Sequence, residues 1–382
     1  MVDRRPTILL DATPIPADRG GVGRYVDAIV PALTRLGVDL VVVCKPADAE
    51  AFHSAGARVE VSPHFVERTP GRLIWEQFGL PAMARRIRAD VIHSVHYTFP
   101  ILTTRSRVVT VHDLTFFSDP GVHTRTKGRF FRAWIRALAR TRAVAVTPSA
   151  ATAGELTTRT RFAPARVVVA HLAVDRDRFH RPDPAAVDAF AARYVLDHGW
   201  IAFLGTLEPR KNVVALLDAY ARLADARDGR PLPALVLAGG RGWDDGVGPA
   251  IDRAREAGAD VRLAGYLPLD ELPALLGGAI VVAYPSLGEG FGLPVLEAMA
   301  CGACVLTTRR LSLPEVGGDA VAYTETDARS ISTALSDLLD DAATRDGLRG
   351  RAVQRAHGFT WEASAEQHLR AYAIATGSVP SD

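Results

Sequence analysis

Short unbroken apolar runs, set between segments with helical spacing, constrain this chain more than any other feature. Runs of this kind belong to strands buried on both faces, which is the environment of a parallel sheet covered by helices. The first half supplies TILLD (7–11), DLVVVC (39–44), DVIHS (90–94), RVVTVHD (107–113) and AVAVTPS (143–149). The second supplies WIAFLGT (200–206), ALVLAGG (234–240), DVRLAGY (260–266), AIVVAYPS (279–286) and CVLTT (304–308). The alternation predicts an α/β fold, and 382 residues suffice for two domains. HRPDPAAV (180–187), with two prolines, reads as the linker, giving domains 1–182 and 183–358. FTWEASAEQHLRAYAIA (359–375) is a last helical pattern. Polar residues collect after the strands: Asp11, His112 and Asp113, GTLEPRKN (205–212), and Glu289. Open α/β sheets bind ligands outside the carboxyl ends of their strands. Two such domains facing each other would gather these groups in one cleft.

GEGFGLPVLEAM (288–299) carries two glutamates around a tight corner. Pro294 suits the first helical position, because its missing N–H would be unpaired there anyway. Glu289 then lies on a strand-to-helix loop and Glu297 one turn inside the helix, both able to face one pocket. The unpaired amides of the Phe291–Leu293 corner, Gly292 among them, should point there too. In GTLEPRKN, Arg210 and Lys211 precede the helical VVALLDAYARL, and a helix start with two cations suits a diphosphate. RGGVGRY (19–25) is a glycine-rich turn whose Gly21 amide could approach a phosphate. It is a poor dinucleotide fingerprint, since the third glycine is missing. His112, at a strand end beside Asp113, is the preferred catalytic histidine; His93, His96 and His171 are expected to be structural or peripheral.

A metal is not expected, because the only Asp-x-Asp spacing, Asp175 and Asp177, lies near the linker, away from the predicted phosphate pocket. No cofactor is expected either. Cys301 and Cys304 have the spacing of a redox motif, but their place between a helix and a strand favours packing. Three cysteines are an odd number and give no disulfide framework. With no run of 18 apolar residues and no secretory signal in MVDRRPTILLDATP, a cytoplasmic location is expected.

The net charge of +2 hides an asymmetry. Residues 1–182 hold 27 Lys and Arg against 16 Asp and Glu, a net +11, and residues 183–382 hold 18 against 27, a net −9. Within the basic half, RTKGRFFRAWIRALAR (125–140) places Arg125, Arg129, Arg132, Arg136 and Arg140 on one helical face. Phe130, Phe131, Trp134, Ile135 and Leu138 fall on the opposite face. The plain reading is a solvated face over a core-facing stripe. The sharper one is contact with anionic headgroups or a diphosphate-linked acceptor, at the inner face of a membrane. No nucleic-acid partner is expected.

With GTLEPRKN, GGVGRY, VHDL and HLAVDRDRF, the Glu289–Glu297 pair makes the chain resemble the retaining nucleotide-sugar glycosyltransferases of GT-B family 4. RLIWEQFGLP (72–81) and VHDLTFF are similar to segments of bacterial mannosyl- and rhamnosyltransferases. The resemblance implies two Rossmann-like domains facing across a cleft, acceptor in the first and donor in the second. The last helix would cross back onto the first domain. It also implies that Glu297 binds the ribose and Glu289 the donor sugar. Arg210 and Lys211 would hold the diphosphate, with amides at Gly21, Gly292 and Leu293. His112 would contact the transferred sugar, and Gly265 and Tyr266 would flank the nucleobase. A hexose transfer from GDP-mannose to a glycan or lipid-linked acceptor is the first expectation, and a UDP- or dTDP-sugar the second. A nucleotide-binding oxidoreductase and a non-catalytic scaffold are the rivals from other classes. A two-carboxylate glycosidase is not favoured, because the pattern commits Glu297 to ribose.

Overall fold

The computed structural model describes residues 6–16, 19–118, 125–226 and 232–378. The chain divides into two compact units. One runs to Leu172 and includes the chain from Thr360; the other is Ala173–Phe359.

In the first unit, seven parallel strands form one sheet: β1 (Thr7–Asp11), β2 (Asp39–Cys44), β3 (Arg58–Val61), β4 (Val91–Ser94), β5 (Ser106–Thr110), β6 (Val144–Thr147) and β7 (Val167–Val169). Their order is β3-β2-β1-β4-β5-β6-β7, so the direction of winding reverses between β1 and β4. Asp11 stands opposite Ser94 at that reversal. The second sheet has six parallel strands: β8 (Trp200–Leu204), β9 (Ala234–Ala238), β10 (Val261–Gly265), β11 (Val281–Tyr284), β12 (Val305–Thr308) and β13 (Ala322–Thr324). Its order is β10-β9-β8-β11-β12-β13, with the reversal between β8 and β11. Ligands of doubly wound sheets bind at this reversal, where the neighbouring loops part to opposite faces.

Residues 180–187 do not form the expected linker. Pro184 opens a helix, Pro184–Tyr194, whose N-terminus is capped by the Asp183 carboxylate accepting from Ala185 N at 2.9 Å. Proline at a helix start needs no N–H partner, which is why Pro184 here opens a helix rather than a tether. The units divide instead at Leu172, ten residues before the expected 182.

The last helix, Trp361–Thr376, is capped by Thr360 and belongs to the first unit. Ser364, His368, Ala371 and Tyr372 recur on one face and are buried. There a chain of hydrogen bonds enters the core. Tyr25 OH meets His368 Nε2 at 2.6 Å and Thr110 Oγ1 at 3.1 Å. His93 meets Thr110 Oγ1 at 2.9 Å through Nε2 and Tyr372 OH at 2.9 Å through Nδ1. His368 Nδ1 lies 2.7 Å from Ser364 O. All five side chains are buried, so each polar group needs a partner from another.

Candidate functional site

The β8-to-helix and β11-to-helix loops meet at the reversal of the second sheet. After β8 the chain makes one 3₁₀ turn, Pro209–Lys211, then passes through Asn212 at φ 59° into the helix Val213–Ala226. The Asn212 side chain donates to Pro285 O at 3.1 Å and Thr326 O at 2.8 Å, fastening this turn to the loops after β11 and β13. Leu287 N donates back to Arg210 O at 2.9 Å. Gly239 sits where a Cβ would meet Gly205 O at 2.2 Å, so the loop after β8 is laid directly on the end of β9.

Within this frame Arg210, Lys211 and Glu289 form one ionic cluster. Lys211 Nζ donates to Glu289 Oε1 at 2.8 Å and to Tyr284 OH. Arg210 spans two carboxylates, bonding Glu289 Oε2 through Nη1 and Glu208 Oε1 through Nη2 at 2.6 Å. Tyr284 OH and Ser286 Oγ add donors to Glu289 Oε1 at 2.9 and 2.8 Å. Burial pushes the Glu289 carboxyl up, but Arg210, Lys211 and the bonds from Lys211 and Ser286 outweigh it and hold it down to about 2. Burial, and then Arg210, lower the Lys211 ammonium, against the pull of Glu289. Lys211 is thus a buried cation rather than a solvated one. Two carboxylates against two cations leave the cluster neutral, and an arriving anion must share Arg210 and Lys211 with Glu289.

The second corner is the helix Leu293–Ala300. Gly292, at φ 101°, is its N-cap, so Leu293 and not Pro294 takes the first helical position. The glycine is required by that left-handed backbone. Ser312 Oγ donates to Glu289 O and Phe291 O, each at 2.8 Å, pinning the corner from the loop after β12. Glu297 is fully buried on this helix. Burial, with a further push from the Glu297 charge, raises the Cys301 thiol; burial also raises Cys304, to about 11. Both cysteines are free and buried, as packing residues would be. Gly265 ends β10 at φ 67°, and the Tyr266 ring beyond it is 72% exposed.

In the first unit, His112 lies two residues past β5. Its Nε2 is 2.8 Å from Val95 O. A carbonyl only accepts, so Nε2 carries the proton and the neutral ring's lone pair is on Nδ1. The Tyr25 ring stands edge-on to it at 5.3 Å. Burial lowers the His112 pKa, against small opposite effects of the Val95 bond and Asp113. Asp113 does not orient the imidazole. Its Oδ1 accepts from Thr115 N at 3.1 Å and Thr115 Oγ1 at 2.8 Å, starting the short helix Thr115–Ser118. Gly20 and Gly21 open the helix Gly20–Arg35, and a Cβ on either would meet nothing within 4 Å. Arg19 braces this turn through Asp48 at 2.9 Å and Asp27 at 3.3 Å. His93, expected to be structural, is a member of the buried network described above.

Tyr284, Ser286 and Glu208 complete the cluster, although none of the three is among the site residues expected from the sequence. Their signal was present: a tyrosine and a serine flank the proline that ends β11, and Glu208 stands two residues from Arg210. Asp175 Oδ1 accepts from Asp177 N at 3.1 Å, so the Asp-x-Asp pair makes a local turn. On the helix Arg125–Ala139, Arg129, Arg136 and the following Arg140 are exposed. Arg132 is half-buried, with Nε 3.1 Å from Gly128 O. The Arg125 side chain lies outside the described residues. Ile135 and Leu138 are core residues and Phe131 and Trp134 pack against them. Phe130 departs from the expected stripe and is exposed. Among the described residues, no helix is long and apolar enough to cross a membrane.

Two doubly wound parallel sheets, the second with a cationic turn and a glycine-capped helix at its reversal, define the GT-B architecture. A model described as Glycosyltransferase Family 4 matches residues 19–178, and one described as Glycosyl transferases group 1 matches 194–355. The O-antigen chain mannosyltransferase B of Escherichia coli is 30% identical over 391 residues, covering 96% of this chain and 99% of its own. A D-inositol 3-phosphate glycosyltransferase of Corynebacterium efficiens is 35% identical over 46% of this chain and 43% of its own. The structure of Anabaena HepE with UDP and glucose superposes with a TM-score of 0.73 at 18% identity, over 95% of this chain and 98% of that one. WaaG, a glycosyltransferase involved in lipopolysaccharide biosynthesis, gives 0.74 at 14% identity, over 95% and 98%. This chain belongs to glycosyltransferase family 4 and is a glycosyltransferase enzyme.

Proposed function

We propose that the enzyme moves a hexose from a nucleotide-diphosphate sugar, GDP-mannose in the first instance, to a glycan or lipid-linked acceptor, with retention of configuration and without a metal. The observation that carries this reading is the Arg210–Lys211–Glu289 cluster at the sheet reversal. A departing nucleoside diphosphate gains negative charge, and two cations already held in place stabilise it. When the diphosphate takes those cations, Glu289 is released toward the hydroxyls of the donor sugar. Attack comes from the same face, with a donor phosphate oxygen accepting the acceptor's proton. His112 meets the transferred sugar as a neutral imidazole. Glu297 takes the ribose hydroxyls, while Gly265 and the exposed Tyr266 ring flank the base. The amides at Gly21, Gly292 and Leu293 complete the phosphate cradle.

Mannose is supported by the relative that spans nearly the whole of this chain. The exposed Arg129, Arg136 and Arg140 support work at the cytoplasmic face of an anionic membrane, where each basic side chain contributes about 1 kcal/mol. Thermal stabilisation by GDP, UDP, dTDP and NAD, followed by turnover of the matching sugar nucleotides, tests the whole reading. GDP should stabilise most and GDP-mannose should turn over. Preference for UDP would replace mannose by another hexose, and stabilisation by NAD alone would remove the glycosyltransfer reading of the site.

A further inference from the structure

The carboxyl ends of β8, β9 and β10 meet in a knot of glycines. Gly239 N, one residue past β9, donates to Gly265 O at 2.7 Å, and Gly205 N, one residue past β8, donates to Ala238 O at 2.9 Å. With a Cβ excluded at Gly239 by Gly205 O, the three chains leave the sheet in contact. From that knot the loop after β8 carries Arg210 and Lys211, the loop after β9 carries Trp243, and β10 runs out through Tyr266.

Trp243 is held in place through both its neighbours. A Cβ on Gly242 would lie 1.9 Å from Leu207 O, so only glycine allows that approach. Asp244 N donates to the same carbonyl at 3.3 Å, and Asp244 Oδ1 accepts from Gly246 N at 3.0 Å, leading into the helix Val247–Glu256. Leu207 N returns a bond to Gly240 O at 3.1 Å. Backbone tied this closely presents its side chain in one place, yet the indole is 54% exposed. Among the described residues it meets no aromatic ring, cation or hydrogen-bond acceptor. A large flat surface fixed in advance loses little freedom when a flat ligand stacks on it.

The ionic cluster selects that ligand. Neighbouring strands lie about 4.8 Å apart, so β10 ends about 10 Å from β8. A diphosphate held by Arg210 and Lys211 leaves the rest of its nucleotide to lie across the ends of β9 and β10, where Trp243 and Tyr266 are both exposed. In the opposite direction, among the described residues of the second unit after β11, no aromatic side chain is exposed. Every base has a π-face to stack, and a two-ring indole covers a purine more fully than a pyrimidine.

We infer that Trp243 is the stacking platform for the donor's nucleobase and that it favours a purine. The inference rests on the diphosphate reading of Arg210 and Lys211 and adds the residue that reads the base.

Titration calorimetry on the full chain with GDP, UDP and pyrophosphate tests it, beside intrinsic tryptophan fluorescence. GDP should quench part of the emission of the five tryptophans, and Trp243→Phe should remove that quench while still binding GDP. Trp243→Ala should bind GDP roughly 5- to 150-fold more weakly. Its loss for UDP should be smaller, with pyrophosphate affinity and thermal midpoint unchanged. Wild-type GDP affinity in Trp243→Ala overturns the stacking role. An equal loss of pyrophosphate overturns it too, since Trp243 would then only support the loop. Equal losses for GDP and UDP, or tighter wild-type binding of UDP, overturn the purine preference. Transfer that falls in Trp243→Ala at unchanged GDP affinity would assign the ring to the acceptor and overturn the base. A wild type that binds neither GDP nor pyrophosphate removes the diphosphate reading itself, and this inference with it.

Discussion

Replacing Glu289 by glutamine keeps the shape of the side chain and removes the charge that joins Arg210 to Lys211. Its carboxyl is held at about 2 against an ordinary 4.5, which corresponds to about 3 kcal/mol of folded-state stabilisation. Glutamine still accepts one hydrogen bond but leaves the buried Lys211 without its carboxylate partner, so about 3 kcal/mol is the lower bound of the loss. For a domain of this size, about 3 kcal/mol lowers the melting midpoint by roughly 6–12 °C. The same change removes the competitor for the cations. One unit charge at about 5 Å, in an effective dielectric of about 20, is worth about 3 kcal/mol, so pyrophosphate should bind at least about tenfold tighter. Calorimetric scans of wild type and Glu289→Gln, with and without pyrophosphate, read both effects. The variant should melt lower alone and gain more from the anion, while sugar transfer falls. An unchanged midpoint together with unchanged pyrophosphate affinity would refute the neutral-cluster argument. Because the folded pKa is depressed, this stabilisation is present in full above about 4.5 and is lost as pH falls toward about 2.

Glu297→Ala should weaken binding of free GDP in titration calorimetry, since a ribose contact survives without the sugar; unchanged GDP affinity would remove that role. Turnover should persist in excess EDTA, and loss restored by magnesium or manganese would show that Arg210 and Lys211 are not enough. Burial holds His368 down to about 4, and burial with neighbouring His368 and His112 holds His93 well below 6.5. The unfolded chain therefore takes up protons first, and the first unit should lose about 1.4 kcal/mol per histidine per pH unit between about 6.5 and 4. A melting midpoint of the first unit that does not move between pH 7 and 5 would contradict this.

The central strands were legible because burial on both faces leaves them largely or wholly apolar, as in β8 and β9, and in β1 between its polar ends. The missed strands are all at sheet edges. β3 (RVEV) is half-exposed and carries charge, and β7 and β13 are three residues each, too short to stand out as apolar runs. The site was legible one residue at a time. Glu289, Arg210 and Lys211 announce themselves by the loops they occupy, but their mutual neutralisation spans 78 residues from Lys211 to Glu289 and depends on the pairing of β8 with β11. Phe130 misled the helical projection: it lies at the margin of the stripe, where a neighbour rather than a period decides burial. His368 carried no local signal, because its partner Tyr25 is 343 residues away.

That distance has a consequence for biosynthesis. The seven strands of the first sheet leave the ribosome long before residues 361–376 exist, and domains ordinarily fold as they emerge. Tyr25, Thr110 and His93 would then have to close a core that still lacks His368 and Tyr372, with hydroxyl and imidazole groups unmatched. The nascent first unit should stay loosely packed and open to proteases while the second unit, whose elements are contiguous, completes itself. Assembly thus ends where it began, with the newest segment sealing the oldest.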